Sequence, residues 1–199
     1  MNNRVLIIGA SRGIGLGFAK IFSKNGWEVH TTVRNDAGKE KLSGIPDNIS
    51  IHRLDIRHDH QITQLAQRFN DKPIDLLVHN AGVYGKNMDE NDVLQINSVA
   101  PFNVVTKFLP IVVRSVQKKI ALLTSQMGAR NGGPTPSDTY GKSKCALNDR
   151  FRQTEPSWRL QGATSVVLHP GWVATDMGGQ SAPVSVLDSV SGMYQVLHD

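Results

Sequence analysis

The chain has a single cysteine in 199 residues, Cys145. One thiol excludes an internal disulfide framework and any metal site built from cysteines alone. No apolar run approaches the ~18 residues that a membrane-spanning helix needs. The opening stretch, MNNRVLIIGA, lacks the basic, apolar and small-residue order of a secretory leader. The expected setting is therefore the cytoplasm, with no membrane partner. Charge of one sign is also scarce. Lys and Arg number 22 against 17 Asp and Glu, a net charge of +5 with no long basic block. That argues against a nucleic-acid groove and leaves the surplus to help hold a small anion. With 39% hydrophobic residues the chain can bury a core, and its length suits one domain spanning 1–199.

What is present is an alternation of short apolar runs with longer helical stretches, the pattern of βαβ units around a parallel sheet. Strands are expected at Arg4–Ile8, Glu28–Val33, Ile49–Leu54, Asp75–His79, Ile120–Thr124 and Thr164–Leu168. Helices are expected through Leu16–Asn25, Gln61–Phe69 and Leu94–Leu109, the last despite Pro101, and again from about Thr139 with a break at Pro156. A loop rich in Gly and Pro fills Gly128–Ser137, and Val184–Leu197 reads as a final helix with no strand after it.

The first strand runs into Gly9-Ala10-Ser11-Arg12-Gly13-Ile14-Gly15. Glycines there permit positive φ and let backbone N–H groups approach a phosphate, while the following helix adds free amides and the positive end of its dipole. The strand before and the helix after supply the context that a dinucleotide turn requires. A site choosing NAD usually places an acid at the end of the second strand to hold the ribose 2′-hydroxyl. Here the residue is Arg34, whose planar fork suits a 2′-phosphate, with Arg12 placed to help. NADP(H) is the expected cofactor in preference to NAD(H), although Asp36 lies nearby.

Tyr140 and Lys144 are four apart and share one face of a helix. A phenol with a pKa of about 10 serves poorly as a base at neutral pH, and a neighbouring ammonium would lower it. Tyr140 can then exchange a proton with a carbonyl or alcohol oxygen.

Together these motifs resemble the short-chain dehydrogenase/reductase superfamily, and within it the C-factor/Sniffer-like branch of small carbonyl reductases. Gly9, Gly13 and Gly15 match the family's glycine pattern, and Tyr140 with Lys144 its Tyr-x3-Lys. His79-Asn80-Ala81-Gly82 matches its Asn-Asn-Ala-Gly, with histidine at the first position. Ser125 matches the serine after strand five, Asn97 the asparagine of the preceding helix, and Pro170, Gly171 and Thr175 the segment after strand six. The resemblance implies an α/β Rossmann-type three-layer fold, a parallel sheet with helices on both faces, here without the usual last edge strand. It also implies an oxidoreductase moving hydride between NADP(H) and a small carbonyl or alcohol. Catalytic duty would fall to four residues. Ser125 would hold the substrate oxygen, Tyr140 would act as acid or base, Lys144 would lower the phenol's pKa and grip ribose, and Asn97 would hold a relay water. Cofactor contacts would come from Gly9, Ser11, Arg12, Gly13, Ile14, Gly15, Arg34, Asp55, Ile56, Asn80, Ala81, Gly82, Tyr140, Lys144, Pro170, Gly171, Val173 and Thr175. Asp55 would read the adenine amino group, with a helix cap as its other reading. A substrate loop is expected at about 171–183. An alternative is an NADP(H)-binding regulatory protein with little turnover, and a homo-oligomer is compatible with either.

Other residues invite weaker readings. His58 and His60 are two apart, a spacing that does not bring side chains together on a helix, and read as a solvated helix start. Cys145 is expected in the core or a subunit contact, and Trp158 in packing. Tyr84, Gln126, Met127, Trp172 and Met177 are candidates for a substrate-pocket wall.

Overall fold

The computed structural model describes residues 2–45, 49–130 and 138–198. Its elements run β1 (Arg4–Ile8), α1 (Gly13–Lys24), β2 (Glu28–Val33), α2 (Asp36–Glu40), β3 (Ile49–Arg53), α3 (Asp59–Gln67) and β4 (Leu76–His79). They continue α4 (Glu90–Leu94), α5 (Ala100–Val112), β5 (Lys119–Leu123), α6 (Thr139–Leu160), β6 (Thr164–Leu168) and α7 (Val186–His198). All six strands pair in parallel, in the order β3-β2-β1-β4-β5-β6. The order reverses between β1 and β4, so the loops after those two strands diverge and open a crevice at their carboxyl ends. Among the described residues β6 forms one edge of the sheet, in agreement with the absence of a seventh strand.

Alternation along the strands feeds two cores. Leu6, Ile8, Leu77, Ile120 and Leu122 face α3, α5 and α6, with Phe69, Phe108 and Trp158 filling that side. Val5, Ile7, Val29, Val78 and Leu123 face the opposite way, against Phe18 and Phe22 of α1 and Val190 and Met193 of α7. Burial on both faces is why the strands read as nearly continuous apolar runs.

The helical elements differ from expectation at three places. The polar stretch after β2 forms α2, because the Asn35 carboxamide caps it by accepting from Gly38 N at 3.1 Å. The long central helix begins at Glu90 and passes through a π turn, Gln95–Val99, just before Pro101. A proline there cannot donate to the preceding turn, and the wider π spacing absorbs the gap. Pro156 does not break α6, which continues to Leu160. Trp158 holds that final turn by packing on Phe102 and Phe151, and Pro156 lies on the exposed side of the helix. The part of the Gly/Pro-rich loop at 131–137 lies outside the described residues. Among the described residues no helix is long and apolar enough to cross a membrane.

Candidate functional site

A cleft of about 610 Å³ lies over the carboxyl ends of the strands. At one end is the glycine turn. Gly9 has φ +86°, and a Cβ there would lie 2.8 Å from the Ala81 Cα. The turn is fixed from both sides: Gly9 N donates to Thr32 Oγ1 at 2.9 Å, and Asn80 Nδ2 donates to Gly9 O at 2.6 Å. Ala81 N donates to Ile8 O at 2.8 Å, which holds the loop after β4 against the one after β1. At the start of α1, Arg12 makes no side-chain cap and the first turn carries no acid. The amides of that turn are therefore left for an anion, as a dinucleotide phosphate requires. The residues present fit the cofactor that the sequence suggests.

The cleft is lined by Ser11, Arg12, Gly13, Ile14, Arg34, Asp55, Ile56, Asn80, Ala81 and Gly82, and farther along by Tyr140, Lys144, Pro170, Gly171, Val173 and Thr175. Gly15 is buried behind the turn, where a side chain would collide with Gly9 O and Asn80. Arg34 is exposed on the wall, whereas Asp36 opens α2 and does not line the cleft. Two charged groups are already engaged. Arg12 crosses to Asp176 in the loop after β6 at 3.0 Å, both side chains about two-thirds exposed. The Asp55 carboxylate accepts from Arg57 through both oxygens, and this bond holds its pKa down at about 2. Asp55 lines the cleft where an adenine contact was expected of it, with Arg57 beside it.

At the other end lie the reacting groups. Ser125 follows β5 in extended conformation and accepts from Met127 N at 3.1 Å, which starts the 3-10 turn Gln126–Gly128. Asp138 caps α6 by accepting from Gly141 N at 2.8 Å and so sets the start of the helix that carries Tyr140 and Lys144. Burial raises the Tyr140 pKa above its ordinary 10, opposed by a hydrogen bond with Ser125. This reverses the sequence expectation of a lowered value. The Lys144 ammonium lies over the Tyr140 ring, 5.8 Å from its centre, and donates to Leu123 O at 2.8 Å. Burial pushes its own pKa down to about 8.

Asn97 is fully buried in the π turn and its carboxamide is committed. Oδ1 accepts from Val83 N at 2.9 Å, and Nδ2 donates to Val83 O at 2.7 Å and to Ser143 Oγ at 3.0 Å. That side chain fixes the loop after β4, so a relay water would have to be held by some other group of the residue. His79 is buried and held neutral, its pKa pushed down to about 3 first by burial and then by the Lys144 charge. Among the described residues its Nε2 has no hydrogen-bond partner. Cys145 is buried with its Sγ accepting from Arg130 Nε at 3.1 Å. His58 is the N-cap of α3.

All five wall candidates, Tyr84, Gln126, Met127, Trp172 and Met177, line the cleft. Sequence reasoning missed Thr32, Arg57, His169 and Asp176. Arg57 stands two residues after Asp55 and was detectable as a nearby opposite charge. His169, which accepts from Gln126 N at 3.3 Å, and Asp176 meet their partners only through the fold.

A crevice that joins a phosphate-cradling turn to a serine, a tyrosine and a lysine defines an oxidoreductase working on a nicotinamide dinucleotide. Residues 3–184 match the short chain dehydrogenase family, and the chain belongs to it. C-signal of Myxococcus xanthus is 37% identical over 137 residues, which cover 63% of this chain and 81% of that protein. Among solved structures, the carbonyl reductase Sniffer of D. melanogaster superposes with a TM-score of 0.87 at 30% identity, over 99% of this chain and 92% of that one. The NADPH-bound carbonyl reductase from chicken fatty liver gives a TM-score of 0.84 at 31% identity, over 98% and 87% of the two chains.

Proposed function

We propose that the protein is an NADP(H)-dependent carbonyl reductase, one domain over 1–199 with a loop at about 171–183 beside the substrate. The observation that carries this reading is the single cleft shared by the glycine turn, Arg34, Ser125, Tyr140 and Lys144. The NADPH bound to a similar carbonyl reductase supports the cofactor, and Arg34 in place of an acid at the end of β2 supports the phosphorylated form. When bound, the nicotinamide supplies the hydride. Ser125 holds the carbonyl oxygen by a hydrogen bond, and Tyr140 delivers the proton to that oxygen as charge develops on it. Burial favours the protonated phenol, the form that donates when a carbonyl is reduced. Lys144, its pKa lowered by burial to about 8, stays charged at neutral pH and is poised to re-protonate Tyr140 and to hold the ribose hydroxyls. The expected setting is the cytoplasm, consistent with a lone buried thiol.

The test is fluorescence of NADPH on addition of the protein, followed by its consumption with a panel of aldehydes and ketones. Binding together with turnover of at least one carbonyl is expected. Binding with no turnover of any would overturn the reading.

A further inference from the structure

Ser125 stands on the short turn between β5 and α6, whereas Tyr140 and Lys144 stand on α6 itself. The bonds within that turn are local: Met127 N donates to Ser125 Oγ, and Gly128 N donates to Ser125 O at 2.9 Å. They shape the turn without setting where it sits against the helix. Its two flanks are gripped by one side chain of α6. The Thr124 hydroxyl, immediately before Ser125, donates to Asn148 Oδ1 at 2.6 Å. At the far end of the turn, Asn148 Nδ2 donates to Gly128 O at 3.1 Å. A carbonyl oxygen can only accept, which fixes the amide nitrogen towards Gly128 and the amide oxygen towards Thr124. Thr124 and Asn148 are only 9% and 8% exposed, so water is poorly placed to replace either bond. The turn also lies close on the helix at Gly128, where a Cβ would be 2.5 Å from the Lys144 carbonyl carbon. On the other side, Thr124 N donates to Leu168 O at 2.8 Å and Gln126 N to His169 Nδ1 at 3.3 Å. Those two bonds tie the segment to the end of β6, not to the helix of the tyrosine. Asn148 is four residues beyond Lys144 and eight beyond Tyr140, so the three share one face of α6.

We propose that Asn148 is a positioning residue for the reaction: by bridging Thr124 and Gly128, it sets the place of Ser125 relative to Tyr140. The inference rests on the carbonyl-reductase reading and deepens it. Ser125 and Tyr140 must meet the same carbonyl oxygen, one holding it and the other delivering a proton, so their separation has to be held closely. One helix carries the phenol and, through Asn148, the anchor of the serine turn. Without the amide, the Thr124 hydroxyl and the Gly128 carbonyl lose their buried partner, and the turn shifts to find others.

The test is a double-mutant cycle between Ser125→Ala and Asn148→Leu, the second of which keeps bulk and removes both bonds. The rate read is NADPH oxidation in a single turnover, with the protein in excess so that slow variants are resolved. The substrate is the carbonyl of the panel that the wild type reduces fastest. Asn148→Leu should lower the rate about ten- to a hundredfold, the cost of a misplacement near 1 Å, and leave the NADPH dissociation constant within about twofold. In the Ser125→Ala background the same change should lower the rate less than about threefold, because the serine it positions is already gone. A role confined to stability would lower the rate equally with and without Ser125. Thr124→Val removes one bond at constant shape and serves as the second variant should Asn148→Leu fail to bind NADPH. It should lose about three- to tenfold, again only where Ser125 is present. An equal loss in both backgrounds, or a loss below about twofold in each NADPH-binding variant, overturns the role of Asn148 and leaves the carbonyl-reductase reading intact. A wild-type protein that binds NADPH and reduces no carbonyl overturns both.

Discussion

Lys144 approaches Tyr140 over the face of its ring, 5.8 Å from the centre, while its ammonium donates to the carbonyl of Leu123. The two residues are four apart on α6, and the helix sets their spacing, but the low polarity around them sets their proton affinities. Tyr140 is held protonated and Lys144, lowered to about 8, still carries its proton at neutral pH, so the pair can pass a proton outward to a substrate oxygen. Tyr140→Phe should lower turnover by a factor of about 10² to 10⁴, the usual contribution of a positioned acid, and leave NADPH binding within about twofold of wild type. Lys144→Ala should impair both steps. Steady-state rates alongside NADPH titration check this, and a Tyr140→Phe variant retaining a tenth of the rate would contradict the assignment.

Arg34 is exposed on the cleft wall, and Arg12 is tied across the cleft to Asp176. Arg34→Ala should therefore weaken NADPH more than tenfold and NADH hardly at all, because a hydrogen bond to a charged group contributes about 1.5–3 kcal/mol. Arg12→Ala should have the smaller effect, since its charge is shared. Asp176→Asn should tighten NADPH by no more than about fivefold, because an exposed ion pair is worth at most about 1 kcal/mol. Equal losses for NADPH and NADH in Arg34→Ala would show that Arg34 does not meet the 2′-phosphate.

Gly9 and Gly26 both have positive φ, +86° and +78°, but only Gly9 faces backbone, with nothing within 4 Å of a Cβ at Gly26. Gly26→Ala should cost only conformational strain, about 1 kcal/mol. Gly9→Ala adds a collision with Ala81 and should cost about 2–4 kcal/mol and weaken NADPH binding severely. Urea unfolding of the two variants separates the terms, and equal midpoints would refute the packing argument.

Stability should fall with acid in two stages. His30 Nδ1 meets His52 Nε2 at 3.0 Å, and His30 Nε2 meets Glu28 Oε1 at 2.9 Å, so donation to Glu28 leaves His30 Nδ1 to accept from His52. Burial lowers both imidazoles, His52 to about 4. A histidine lowered in the folded state contributes stability that is complete above the unfolded value of 6.5 and is lost as pH falls towards the folded value. Below pH 4.5 the second stage begins. Glu28 is held at about 2, chiefly by its hydrogen bond with Arg4, and loses its contribution between 4.5 and 2. Thermal unfolding from pH 7.5 to 3 should show Tm declining from about pH 6.5, and His52→Gln should flatten the first stage. A Tm constant between pH 7 and 5 would rule the first stage out.

The sequence alone determined the six parallel strands, the phosphate-cradling turn and the tyrosine and lysine on one helical face. Each depends on local rules: apolar continuity in doubly buried strands, the φ freedom of glycine beside a helix start, and four-residue periodicity. Helix limits were less legible, because Asn35 capping, the π turn before Pro101 and the anchoring of α6 by Trp158 depend on partners that propensity does not see. Tertiary structure alone decided the contacts that tune the site. It carried Asp176 to Arg12 across 164 positions, laid Tyr84 on Tyr140 and closed Arg57 on Asp55. It also raised the Tyr140 pKa where the neighbouring lysine had suggested a fall. The spacing of two residues fixes how near a charge can come, but desolvation depends on everything packed around the phenol, and at Tyr140 that packing outweighs the hydrogen bond with Ser125.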